Sequence, residues 1–215
     1  MRLNQVVRLT RVSPRLINTS MNNYFYKVGF FEIDADLLYE EWLKISNKFN
    51  LFELTHKLTS KGHCPKYYRL EINQRDNLVE SDNPVLIHGV GEEVHDSEHN
   101  SNNIVSDFHN TYSAEISSKV VKYLESKYPT YKVTRIKYAA LAPGTFLGLH
   151  TDKRDAPRFF LFIRVKQGCY MHIAGDKIPM NEPGALYRFN CQALHSPVNE
   201  SDDYRLCMMF DVKKI

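Results

Sequence analysis

The chain is poor in features that stabilise a protein from outside its own core. Its four cysteines, Cys64, Cys169, Cys191 and Cys207, stand far apart with no C-x-x-C spacing. That excludes a zinc ribbon, argues against a small disulfide scaffold, and makes a reducing, intracellular setting the simpler expectation. No run approaches the roughly 20 apolar residues that span a bilayer, so a soluble, cytoplasmic protein with no membrane partner is expected. Charge of one sign is also lacking: 28 Lys plus Arg against 25 Asp plus Glu leave +3. So small an excess gives no ground for a nucleic-acid partner.

Acidic residues are missing altogether before Glu32, where Arg2, Arg8, Arg11 and Arg15 occur among Ser and Thr. This composition resembles an organellar transit peptide. Pro14, however, interrupts any Arg-rich amphipathic helix early. A start upstream of Met21, or a disordered basic tail over residues 1–20, is the simpler reading.

What is present suffices for one domain. The 215 residues are 43% apolar, enough for a sizeable core. The expected organisation is a single domain over 21–215, with a helical and loop-rich part (21–129) followed by a β core (130–215). Leu38, Trp42, Ile45 and Phe49 recur at helical spacing over 34–49, with Asp34 as cap. Ile116, Val120, Tyr123 and Leu124 predict a second helix from Ser113, its expected cap, to Lys127, stopped by Pro129. Between them, residues 51–110 read as loop with two short strands, 66–72 and 84–88; loops this long are commonly lids or disordered.

After Pro129 short apolar runs separated by Pro, Gly, Asn and Asp predict strands at 131–141, 146–151, 157–166, 169–174, 177–180, 184–189, 194–199 and 203–212. Eight strands suit a double-sheet jelly roll. The runs 158–165 and 204–212 are apolar on both faces, so the opposite sheet must cover one side and the helices the other.

His150 and Asp152 are two apart, which on extended backbone places both side chains on one face. With His195 they make two imidazoles and one carboxylate, the donor set by which non-haem Fe(II) oxygenases keep positions open for a cosubstrate and dioxygen. Arg205 shares one strand face with Cys207 and Met209, while Leu206, Met208 and Phe210 share the other. An inward guanidinium needs an anion, and 2-oxoglutarate offers both a chelating keto acid and a distant carboxylate.

Residues 141–152 (LAPGTFLGLHTD), followed by Pro183-Gly184, Phe189-Asn190, His195, Val198-Asn199, Arg205 and Asp211, resemble the aspartyl/asparaginyl β-hydroxylase family of 2-oxoglutarate and Fe(II)-dependent oxygenases. The resemblance covers the part from Tyr131 onward. It implies a mostly β fold with flanking helices, the double-stranded β-helix (a cupin-like jelly roll), with metal ligation by His150 and His195 and a carboxylate-binding role for Arg205. It also suggests that Arg158 lies in the cosubstrate or substrate pocket. The implied chemistry couples decarboxylation of 2-oxoglutarate to succinate with oxidation of a substrate C–H bond by dioxygen.

Two departures stand out. Asp152 completes a triad that the founding β-hydroxylases lack, which places this chain nearer to members that include free amino-acid hydroxylases. A carboxylate there also favours hydroxylation over halogenation. Phe160 stands where the family has a polar residue, often His.

The catalytic set expected is thus His150, Asp152 and His195 on Fe(II), with Arg205 and Arg158 toward 2-oxoglutarate, acting on an amino acid or peptide. The rival is a non-catalytic jelly-roll module binding a metal or ligand; a zinc hydrolase on a cupin scaffold is a third reading. His88, His95, His99 and His109, among Glu92, Glu93, Asp96 and Glu98, read as a solvated loop, more a lid than a second metal site. Tyr170 and His172 read by default as surface or packed positions.

Overall fold

The structure, a computed structural model, describes residues 24–53, 67–75, 85–86, 99–152 and 154–215. The expected basic extension, most of the expected lid, and His88 and His95 lie outside the described residues.

The chain opens with strand β1 (Phe25–Phe30) and helix α1 (Ala35–Lys48). Asp34 caps α1 as its sequence predicts, its carboxylate accepting from the Leu37 N–H at 3.0 Å, and Leu38, Trp42 and Ile45 are buried. Helix α2 (Tyr112–Lys127) buries Ile116, Val120 and Leu124. Its cap is Thr111, not Ser113. Ser113 is instead fully buried, and its hydroxyl bonds both Glu41 of α1 and the Tyr138 phenol. The Glu41 carboxylate also accepts the Tyr112 and Ser113 backbone N–H groups at 2.9 and 2.8 Å. One helix therefore supplies the anion that satisfies the open N-terminus of the other.

Strands β2 (Tyr67–Glu71), β3 (Asn73–Arg75), β4 (Val85–Leu86) and β5 (His99–Ile104) follow α1. β2 and β4 fall within the two strands expected in this region; β5 was expected as loop.

The eight remaining strands are β6 (Tyr131–Leu141), β7 (Thr145–Phe146), β8 (Arg158–Arg164), β9 (Cys169–Ile173), β10 (Asp176–Pro179), β11 (Ala185–Phe189), β12 (His195–Asn199) and β13 (Arg205–Lys214). A seven-stranded sheet has the order β1-β11-β8-β13-β6-β2-β4, and a four-stranded sheet the order β10-β9-β12-β7. From β6 on, the chain passes back and forth between the sheets, and the β6 to β13 pairings are all antiparallel. This winding is the double-stranded β-helix. The strand expected at 146–151 is shorter: β7 ends at Phe146, and the next pairing is an isolated bridge between His150 and His195.

Two apolar clusters lie on opposite faces of the large sheet. Leu206, Met208, Phe210 and Val212 of β13 and Phe159, Leu161 and Ile163 of β8 pack beneath the helices with Trp42, Ile116 and Val120. Cys207 and Met209, with Phe160 and Phe162, meet Cys169, Met171 and Ile173 of the small sheet. Period-two alternation thus sends successive residues into different cores.

β1 closes one edge of the large sheet, and Gly184 is essential to how it docks. Its carbonyl accepts the Phe31 N–H at 2.8 Å. Its φ of +82° is a glycine conformation, and a Cβ would stand 2.2 Å from the Phe31 oxygen.

Among the described residues no helix is long and apolar enough to cross a membrane.

Candidate metal centre

His150 and His195 face one another because their backbones exchange both bridge hydrogen bonds, His150 N–H to His195 O at 2.9 Å and His195 N–H to His150 O at 2.8 Å. The imidazole centroids are consequently 4.2 Å apart. The bridge does the work that the sequence assigned to a regular strand. Two residues on, the Asp152 N–H donates to Cys191 O at 2.9 Å, and one carboxylate oxygen comes within 3.9 Å of His150 Nε2. Ligand atoms of His150, Asp152 and His195 all lie within 4.8 Å of one another.

The protonation pattern suits metal binding. His150 Nδ1 lies 2.7 Å from Gly148 O, and His195 Nδ1 lies 2.8 Å from Ala193 O. A carbonyl can only accept, so each Nδ1 donates there, and Nε2 is the nitrogen that offers a lone pair in the neutral ring. Burial pushes the His195 pKa down to about 4, which keeps this imidazole neutral at physiological pH. Phe189 packs edge-on against His195 at 4.6 Å and leads into the rings of Phe160 and Phe25, giving the site an apolar wall.

Arg158 and Arg205, both expected in a cosubstrate pocket, sit in different surroundings. Arg158 donates from Nη1 to Asp152 at 2.8 Å and from Nε to Asp211 at 2.5 Å, so it is engaged by protein carboxylates. Arg205 is buried on the inner face of β13. Among the described residues its one polar contact is Nη2 to the Met180 sulfur at 3.5 Å, and its buried Nε has no hydrogen-bond partner. A buried guanidinium without a carboxylate is costly unless a ligand supplies one.

Asp211 entered the sequence reading only as part of the family resemblance, and the charged groups of β6 that face it escaped the sequence. Asp211 is fully buried; burial would raise its pKa, but Arg158, Lys137 and Arg154 together hold it well below the ordinary carboxylate value. Lys137 is pulled well below the ordinary lysine value by burial and by Arg135, partly offset by Asp211 at 3.7 Å. Arg135 pairs with Glu71 at 2.7 Å. Their alternation on β6 and β13 was the available signal, since Lys137 and Asp211 interrupt otherwise apolar runs.

Asn199 has an architectural role: its side-chain amide donates to the carbonyls of Leu141, Ala142 and Asp203. Tyr170 and His172 lie on the opposite face of the small sheet from the imidazoles. With Phe146, Val198 and Glu200 they line a cleft of about 550 Å³ there. His109, from the expected lid cluster, bonds Ile104 O through its ring at 2.8 Å.

An antiparallel double-stranded β-helix in which two imidazoles and a carboxylate converge fits the class of 2-oxoglutarate and Fe(II)-dependent oxygenases. A family model described as aspartyl/asparaginyl beta-hydroxylase matches residues 105–214, half of the chain, and the chain belongs to that family. It is an enzyme, a dioxygenase of the hydroxylase type.

Among solved structures, the viral collagen prolyl hydroxylase of Paramecium Bursaria Chlorella virus-1, in a complex with 2-oxoglutarate, is 16% identical over 90% of this chain and 97% of that one, with a TM-score of 0.47. An oxidoreductase of the 2OG-Fe(II) oxygenase family from Burkholderia pseudomallei is 14% identical over 45% and 55%, with a TM-score of 0.36. A cupin domain from Bordetella pertussis is 15% identical over 37% and 80%, with a TM-score of 0.32. Likenesses this loose carry no argument about substrate. No curated protein matches the chain.

Proposed function

We propose that residues 21–215 form one oxygenase domain that hydroxylates an amino-acid side chain, free or within a peptide, using Fe(II) and 2-oxoglutarate. His150, Asp152 and His195 would hold the iron, and Arg205 would anchor the far carboxylate of the cosubstrate. The observation that carries this reading is the pairing of three convergent donors with the buried, unpartnered Nε of Arg205. A metal cluster alone would suit zinc hydrolysis equally; the orphaned guanidinium calls for a dicarboxylate as well.

When bound, iron and 2-oxoglutarate together activate dioxygen, yielding succinate, carbon dioxide and one oxygen atom for the substrate. The chain's own residues prepare for this. Gly148 O and Ala193 O hold the two imidazoles in the tautomer that presents Nε2. Asp152 would fill the third protein position, the one a halide would otherwise take, and so favours hydroxylation over halogenation. Phe189 and Phe160 exclude water from one side. The amino-acid substrate class is supported by membership of the family.

The test is direct. Purified protein with Fe(II), 2-oxoglutarate and air should form succinate slowly without substrate, and His195→Ala should abolish it. Metal-loaded protein that makes no succinate would favour the non-catalytic module, and hydrolytic turnover without oxygen would favour zinc. Screening free amino acids and short Asp- or Asn-containing peptides for the gain of about 16 mass units expected of one added oxygen then identifies the substrate.

A further inference from the structure

The two carboxylate oxygens of Asp152 meet different surroundings. Oδ2 accepts from Arg158 Nη1 at 2.8 Å, while Oδ1 turns to the imidazole pair, 3.9 Å from His150 Nε2. A carboxylate free to rotate can chelate a metal with both oxygens and so occupy a position that a chelating cosubstrate and dioxygen need. One tied at Oδ2 to a guanidinium has only Oδ1 to give.

Arg158 is itself fixed from behind. Its Nε donates to Asp211 Oδ1 at 2.5 Å, and the Asp211 side chain is wholly buried. The contact does not depend on two long side chains finding each other. β8 and β13 are paired at this point, with Asp211 directly opposite Arg158, so the sheet register sets it. Asp211 also lies within 3.4 Å of Arg154 and 3.7 Å of Lys137 through its other oxygen, which holds the carboxylate from both sides.

We propose that Asp211 is a positioning residue: through Arg158 it holds Asp152 so that a single oxygen faces the two imidazoles. This rests on the reading of His150, Asp152 and His195 as metal ligands. It gives Arg158 a part in metal-site geometry through Nε and Nη1, beside Arg205 as the cation for the cosubstrate. The pairing of a buried strand residue with the metal ligand couples the geometry of the site to the register of the large sheet.

Co(II) titrated into the metal-free full chain, followed by its visible absorption, reads this geometry without turnover. Asp211→Asn keeps the shape and removes the charge, and should weaken Co(II) binding by about 10- to 100-fold, as loss of a partner behind a ligand does, with an altered spectrum. Arg158→Gln should do the same. The double variant should bind no more weakly than Arg158→Gln alone, because both changes cut one chain of contacts. Wild-type affinity and spectrum in Asp211→Asn, or losses that add in the double variant, would overturn the proposal.

If Asp211→Asn does not fold, Arg158→Lys decides. It keeps the charge but cannot reach both carboxylates at once, so weakened binding and a changed spectrum support the proposal and wild-type behaviour overturns it. Failure of the underlying reading looks different: wild type and His195→Ala would then bind Co(II) alike, and there would be no site for Asp211 to organise.

Discussion

On β13, Leu206, Met208, Phe210 and Val212 pack beneath the helices, whereas Arg205, Cys207, Met209 and Asp211 point between the sheets. β8 divides in the same way, with Phe159, Leu161 and Ile163 outward and Arg158, Phe160 and Phe162 inward. The outward set is wholly apolar and is sealed by Trp42, Ile116 and Val120. The inward set mixes aromatic rings with buried charge, including the Arg158–Asp211 pair and Arg205. Burial of apolar surface stabilises at every contact, while a buried charge stabilises only if its partner is present. Stability is therefore concentrated on one face and chemistry on the other, and each can be disturbed separately.

The largest expected effect comes from breaking the outer face. Trp42→Ala removes a fully buried ring and should cost about 3–5 kcal/mol in urea unfolding. The Co(II) affinity of the folded protein should stay at the wild-type value; a parallel loss of affinity would show that the faces are not independent.

Next is the inner face. Arg205→Ala should weaken 2-oxoglutarate binding about 10- to 100-fold, as loss of charge-assisted contacts does, read from the 2-oxoglutarate dependence of succinate formation. Its unfolding free energy should not fall, since the change removes a buried cation with no carboxylate partner among the described residues. A loss of stability without loss of 2-oxoglutarate affinity would assign Arg205 to structure.

A smaller effect is expected where the two helices meet. Glu41→Ala leaves the Tyr112 and Ser113 N–H groups without their carboxylate and should cost about 1–2 kcal/mol of stability, with metal and 2-oxoglutarate binding unchanged.

The smallest effect is a silence. Cys169, Cys191 and Cys207 are buried, and burial raises the Cys191 pKa to about 11. Because the raised value leaves Cys191 a neutral thiol at pH 8, a thiol reagent should not modify these three in the native protein. Modification should follow only in denaturant. Rapid native labelling of Cys191 would mean that the inner face beside Asp152 opens readily.

Much of this comparison was legible in advance. The alternation on β8 and β13 marks two apolar faces, the i, i+4, i+7 stripe with Asp34 marks α1, and the one-residue spacing of His150 and Asp152 marks their shared direction. Other features were not. Ser113 resembles a helix cap by type and position, yet the site belongs to Thr111, because Ser113 is drawn into a buried bond with Glu41 and Tyr138. The expected strand through His150 reduces to an isolated bridge with His195. The family resemblance suggested Arg158 for the cosubstrate or substrate pocket, but its protein partners, Asp152 and Asp211, could not be named.

The sequence by itself determined which way each residue faces, since side-chain direction follows from the local repeat of strand or helix and from its caps. The tertiary structure alone decided which residue stands opposite which. Arg158 and Asp211 are 53 residues apart in the chain, and they meet because the jelly roll lays β8 against β13 in one register. That register is a property of the whole set of packed strands, so no local pattern encodes it.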